Sequence, residues 1–151
     1  QDNARIVVVG GDIYATISDC SANFKYDGKR GFTAYSRSKL GLMWWVNEVH
    51  ARYPKLLINC VHPGVVATNL GGELGGIWKY LQAKLTLSAA QGCQTSLVCA
   101  TQDNVINGAY YHNTLGRMML PKSDNSLDSK RSAAFWDLLQ GIYQKHTQSD
   151  S

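Results

Sequence analysis

The chain has 151 residues, 44% of them hydrophobic and 17% charged, with a formal net charge of +4. This suits one globular domain with a real core, and the basic excess is too scattered for a nucleic-acid footprint, which clusters Lys and Arg on one face. No apolar run approaches the ~18 residues of a membrane span.

In chain order, the run ARIVVVGG (4–11) is β-branched and does not alternate, which predicts a strand covered on both faces, as in a parallel sheet. From Asp12 to Phe32 the chain is polar and glycine-bearing, with a turn at YDGKRG, and reads as a long loop of the kind that often carries function. A helix is predicted from Thr33 to Tyr53. Leu42, Trp45, Val46 and Val49 form its apolar stripe, Leu40, Met43 and Trp44 widen it, and Pro54 stops it. LLINCVHPG (56–64) is a second buried strand. GGELGGIWKYLQAKL (71–85) opens as a mobile, glycine-rich segment and then turns helical. SAAQGCQTSLVCAT (88–101) reads as a helix capped by Ser88. NGAYYHN (107–113) reads as a turn and a short strand. A last amphipathic helix, within Ser126 to His146, carries Phe135, Trp136, Leu139 and Ile142, and residues 147–151 read as a disordered tail. Alternation of this kind predicts an α/β domain with a parallel sheet of about three strands and flanking helices.

Four cysteines (Cys20, Cys60, Cys93 and Cys99) lack Cys-x-x-Cys spacing, so they are expected as buried free thiols in a reducing, cytoplasmic setting. No secretory signal is visible, and the absence of an initiator Met is expected of a chain that begins inside a longer gene product. His50, His62, His112 and His146 show no spacing typical of a metal site, and no metal is expected.

The segment TAYSRSK places Tyr35 and Lys39 one helical turn apart, on one face. A phenol ordinarily titrates near 10, and an ammonium group about 4–6 Å away favours the phenolate. Such a pair suits a tyrosine that gives or takes a proton near neutral pH. The pattern alone is common on helices; its setting, after a VVV strand and a long loop and before a strand ending in Pro-Gly, is not.

With that setting, the YSRSK helix, NCVHPGVVATNL, GAYYHN and the terminal AAFWDLLQGIY resemble the short-chain dehydrogenase/reductase superfamily, nearest to its retinol dehydrogenase-like branch. The resemblance implies a Rossmann-type doubly wound α/β fold, of which residues 1–146 correspond to the C-terminal catalytic half. It implies an NAD(P)-dependent oxidoreductase that moves hydride between nicotinamide and a carbonyl or secondary alcohol. Tyr35 then looks like the catalytic acid–base. Lys39 looks like its partner and a ligand of the nicotinamide ribose. Pro63 and Gly64 match the segment along the nicotinamide, and Val66 and Thr68 the positions that hold the carboxamide. Residues Gly71 to Leu87 would form the substrate lid, with Trp78, Tyr80 and Leu81 pointing to an apolar partner. The Trp44–Trp45 helix would pack against its twin in a homodimer.

Two departures stand out. Where the family carries a catalytic serine, the chain has Gly10 and Gly11, with Tyr14, Thr16 and Ser18 as the nearest hydroxyls that could replace it. The family's pyrophosphate turn also has no counterpart, since neither GGDIYA nor GGELGG joins a strand directly to a helix. Whether the cofactor is NAD or NADP stays open for that reason. A non-catalytic interaction module, or a fragment, is the rival reading.

Overall fold

The computed structural model describes residues 4–20, 31–66 and 86–148. β1 (Arg5–Val9) and β2 (Leu57–His62) lie parallel, in register from Arg5 opposite Leu57 to Val9 opposite Val61. β3 (Tyr110–His112) continues the sheet in parallel, with Cys60 opposite Tyr110 and His62 opposite His112. β4 (Gly116–Arg117) then turns back antiparallel to β3, giving the order β1-β2-β3-β4. The result is a four-stranded mixed sheet flanked by helices, a partial Rossmann-type α/β fold. The three parallel strands match the sequence expectation; the two-residue β4 is an addition too short to leave a pattern.

The Asn-Gly turn before β3 does more than reverse the chain. Asn107 Nδ2 donates to Leu56 O at 3.0 Å, and its Oδ1 accepts from Ile58 N at 2.8 Å. Gly108 takes φ +75°, the left-handed region that glycine enters freely. Together these bonds pin the start of β3 to β2.

Four helices complete the described chain: α1 (Gly31–Arg52), α2 (Ala89–Gly92), α3 (Gln94–Thr101) and α4 (Ser129–Gln148). The single helix expected over 88–101 is two, broken at Gly92–Cys93. Its predicted cap is present: Ser88 Oγ accepts from Gln91 N, and Gln91 Oε1 accepts from Ser88 N. The long loop contains a 3-10 turn at Asp12–Thr16, and a second 3-10 turn, Asn125–Leu127, precedes α4. α4 extends through Gln148, into the stretch expected to be a tail.

The core is centred on α1. Leu40, Met43, Trp44, Val46 and Val49 are buried against Ile58, Cys60, Tyr110 and Phe135. Leu42 and Trp45, placed in the primary stripe from sequence, are only half-buried; with Gly41, Phe135 and Leu139 they line an apolar groove of about 470 Å³. Trp44 is the tryptophan that serves the core. Its Nε1 donates to Asn125 O at 2.9 Å, and its ring meets Phe135 edge-on at 5.8 Å. Ile142, expected on the apolar face of α4, is exposed.

All four thiols are free. Cys20, Cys60 and Cys99 are buried as expected, but Cys93 is exposed at the α2–α3 junction. Burial pushes the Cys60 thiol up to about 12 and Cys20 to about 11. No helix among the described residues is long and apolar enough to cross a membrane.

Candidate functional site

Because β1, β2 and β3 run in parallel, their carboxyl ends share one edge of the sheet. In open α/β sheets that edge is where ligands bind. Here it carries Gly10-Gly11-Asp12 after β1, Pro63-Gly64 after β2 and Asn113-Thr114 after β3. A cleft of about 700 Å³ opens there, lined by Gly11, Asp12, Tyr35, His62, Gly64 and His112 among others.

α1 brings Tyr35 and Lys39 to this edge. Lys39 Nζ donates to Val9 O, the last carbonyl of β1, at 3.1 Å, and lies 5.4 Å from the centre of the Tyr35 ring. The bond to Val9 fixes the ammonium beside the phenol. Tyr35 is 45% exposed and faces the cleft. Gly64 takes φ +82°, a left-handed conformation that favours glycine, and a Cβ there would fall 2.6 Å from Leu87 Cδ1, a side-chain end that would have to shift. Val66 bridges in parallel to Leu87 and is half-buried. Thr68 and residues 71–85 of the expected lid, with Trp78, Tyr80 and Leu81, lie outside the described residues.

The two glycines have different surroundings. A Cβ on Gly10 would fall 2.5 Å from Cys60 Sγ, inside the core. A Cβ on Gly11 would meet nothing nearer than His62 Nδ1 and Lys39 Cγ, both at 3.9 Å, and its backbone is extended (φ 165°). Gly11 is therefore the position from which a side chain would reach the cleft. None of the three candidate hydroxyls lines it. Tyr14 is buried and donates to Asp124 Oδ2 at 3.0 Å; burial first, then the Asp124 charge, push its pKa far up. Thr16 Oγ1 donates to Ile13 O at 2.8 Å. Ser18 lines a separate depression beside Arg131 and Phe135.

The site also contains a cluster that sequence spacing did not reveal. Asp12, His62 and His112 stand 50 residues apart in steps along the chain, yet one ligand atom from each lies within 4.8 Å of the others. Asp12 Oδ2 is 3.4 Å from His112 Nε2 and 3.8 Å from His62 Nε2. Its other oxygen accepts from Tyr110 OH at 2.5 Å. Burial and that bond push the Tyr110 phenol strongly up, so it remains a donor. The strand register creates the cluster, by setting His62 opposite His112 at the ends of β2 and β3.

Two His and one Asp can hold a divalent metal, but the bonding of His112 argues against it. His112 Nδ1 accepts from Thr114 N at 3.0 Å and Leu115 N at 3.3 Å. With that lone pair engaged, the neutral ring carries its proton on Nε2, facing Asp12. A metal would need the Nε2 lone pair. The arrangement is instead an acid–imidazole cluster, with both rings within ion-pair distance of one carboxylate oxygen. His62 is the unsettled member: its Nδ1 is buried and has no partner among the described residues, a condition that costs about 1–3 kcal/mol. Burial lowers the His62 pKa, opposed by Asp12 and reinforced by His112 and Lys39, so the ring is neutral at pH 7.

No protein-family model matches the chain. Human retinol dehydrogenase 14 is 27% identical over 147 residues, spanning 89% of the chain and 43% of that protein. The WW domain-containing oxidoreductase of Pongo abelii is 26% identical over 167 residues, spanning 98% of the chain and 39% of that protein. The chain is distantly homologous to oxidoreductases of the short-chain dehydrogenase/reductase superfamily. It spans about two-fifths of the length of these curated relatives. Among solved structures, an uncharacterised protein from Mycobacterium paratuberculosis superposes with a TM-score of 0.65 at 22% identity, covering 94% of the chain and 51% of its own. The NADPH-bound carbonyl reductase from chicken fatty liver superposes at 0.54 and 20% identity, covering 78% and 43%. Those two likenesses speak to the fold.

Proposed function

We propose that the protein containing this chain is an NAD(P)-dependent oxidoreductase acting on a carbonyl or secondary alcohol, with this chain supplying its proton-transfer site. The observation that carries the reading is the convergence of Tyr35, Gly11 and Gly64 on one cleft at the carboxyl ends of β1 and β2, with Lys39 held beside Tyr35 by its bond to Val9 O. The residues present fit the nicotinamide end of such a cofactor. Gly11 and Gly64 both line the cleft without side chains, so a flat ring can approach the backbone there.

Bound there, NAD or NADP would supply or take up the hydride. The chain's own part is to hold and move the accompanying proton. Tyr35 presents its hydroxyl to the substrate oxygen, and Lys39, anchored on Val9 O, keeps a positive charge beside the phenol. Lys39, Pro63, Gly64, Val66 and Thr68 would hold the nicotinamide and its ribose. The pyrophosphate would need a strand-to-helix glycine turn, and none occurs among the described residues. A homodimer formed through the Leu42–Trp45 face of α1 belongs to the same reading, because that face leaves Trp45 half-buried beside an apolar groove.

Tyr35→Phe in the full-length protein tests the proposal, by steady-state turnover of simple ketones and alcohols together with NADPH titration. Loss of turnover with binding retained is the expected result. Wild-type turnover in the variant would remove Tyr35 from the mechanism and the proposal with it.

A further inference from the structure

We infer that Asp12 is a specificity-determining residue of the cleft, a fixed carboxylate that favours carbonyl substrates bearing a cationic nitrogen and disfavours those bearing a carboxylate. The inference rests on the oxidoreductase reading of the cleft and deepens it by naming a substrate class.

The carboxylate is held in place yet stays open to the cleft. Tyr110 OH, on a buried ring, donates to Asp12 Oδ1 at 2.5 Å. His112 Nε2 faces Asp12 Oδ2 at 3.4 Å, and it carries the proton of the neutral ring because Nδ1 accepts from Thr114 N and Leu115 N. These contacts fix the group without covering it: the Asp12 side chain is 51% exposed and lines the same cleft as Tyr35. A carboxylate on a free loop would be averaged over its rotamers. This one has a fixed position.

The rest of the described lining does not match it with a permanent cation. Ile13, Val65 and Leu87 are apolar, Tyr35 and Thr114 offer hydroxyls, and no lysine or arginine lines the cleft among the described residues. Lys39, the ammonium beside Tyr35, has its Nζ turned to Val9 O. A substrate with its carbonyl oxygen at Tyr35 therefore meets apolar walls for its body and one negative charge. Two unit charges about 7 Å apart, at a near-surface effective dielectric of about 20, alter binding by about 50-fold. Water and salt in a half-open cleft screen this to about tenfold.

The probes are three benzaldehydes substituted at the para position by trimethylammoniomethyl, neopentyl or carboxymethyl. The first two share a shape and differ by one charge, and the methylene insulates the carbonyl from it. In the full-length protein with NADPH at pH 7.5, kcat/KM for the cation should exceed that for its neutral isostere by about tenfold, with the anion lowest. In Asp12→Asn the cation-to-neutral ratio should fall to about one. Each ratio is taken within one protein, so a general loss of activity in the variant cancels, and a merely structural role for Asp12 would leave the ratio unchanged. A wild-type ratio near one, or a preference that persists in a folded Asp12→Asn, overturns the inference. Should Asp12→Asn fail to fold, the wild-type order decides: cation, neutral, anion supports the inference and any other order overturns it. Equilibrium dialysis of the same probes without cofactor reads the charge preference apart from turnover. If Tyr35→Phe remains active or no aldehyde is reduced, the oxidoreductase reading falls, and the ratio of the dissociation constants then decides Asp12 by the same criteria.

Discussion

Substitution of the two adjacent glycines should separate by several kcal/mol, although they share a chemistry and a loop. At Gly10 a Cβ would stand 2.5 Å from Cys60 Sγ, where ordinary contact begins at 3.4 Å, so something must move by about an ångström. Cys60 is 1% exposed and packed with Ile58 and Tyr110, so its sulfur has little room to retreat. Overpacking of this kind costs about 1–3 kcal/mol. At Gly11 the nearest atoms are 3.9 Å away and the backbone is extended, so alanine fits without strain. There the substitution restricts only the unfolded chain and should stabilise by about 0.4–1 kcal/mol.

Gly10→Ala is therefore expected to unfold at lower urea than wild type, and Gly11→Ala at the same or higher urea, with unchanged m-values in both. A double-mutant cycle identifies the cause. In a Cys60→Ala background the sulfur is gone, and Gly10→Ala should cost at least about 1 kcal/mol less than it does alone. Equal midpoints for the two alanine variants, or a cycle with no coupling between residues 10 and 60, would refute the packing argument and the choice of Gly11 as the position facing the cleft.

Three further outcomes follow from the same geometry. Gly64→Ala should lower stability by about 1–2 kcal/mol or more, since a left-handed residue gains a Cβ that also meets Leu87; a Tm equal to wild type would contradict it. Limited maleimide labelling of the native protein should modify Cys93 first, with Cys20, Cys60 and Cys99 reacting only on unfolding, as read by peptide mass spectrometry. Raising the pH should erode stability from about pH 9, because the unfolded Cys60 thiol ionises there while the folded one keeps its proton to about 12. That contribution is complete below pH 9 and is lost through the window, at up to about 1.4 kcal/mol per pH unit for one proton. Cys60→Ala should flatten the slope, and an unchanged slope would show that Cys60 ionises alike in both states.

Local pattern made much of the fold legible. LINCV without alternation is a covered strand, whereas VVV, read the same way, is only half-buried and ends on an exposed Val9; the α1 helix begins two residues before its expected start and ends one residue before its expected stop. The pattern misjudged facing where helical periodicity was saturated. α1 is apolar around much of its circumference, so the sequence could not say whether Leu42 and Trp45 or Met43 and Trp44 point inward. Tertiary contacts decided for the latter: Asn125 O takes the Trp44 N–H and Phe135 packs on its ring. The helix over 88–101 breaks at Gly92–Cys93, and a Cβ at Gly92 would fall 2.5 Å from Val66 Cγ2, so close packing on Val66, invisible to helical periodicity, favours glycine at that position.

The site divides along the same line. Tyr35 and Lys39 were legible because helical spacing alone puts them together. The Asp12–His62–His112 cluster was not, because nothing in a sequence period relates positions 12, 62 and 112. Their proximity comes from two parallel registers: β1 on β2 sets Val9 opposite Val61, and β2 on β3 sets His62 opposite His112. Residues just past the ends of parallel strands converge whatever their separation in sequence. The informative signal was therefore a polar residue at each strand's carboxyl terminus, Asp12 after GG, His62 before PG and His112 before Asn113. Searching the histidines for metal-ligand spacing treated them as a local motif, whereas the sheet makes them neighbours. The same convergence brings His62 Nδ1 and Lys39 Cγ to the same distance, 3.9 Å, from where a side chain at position 11 would begin.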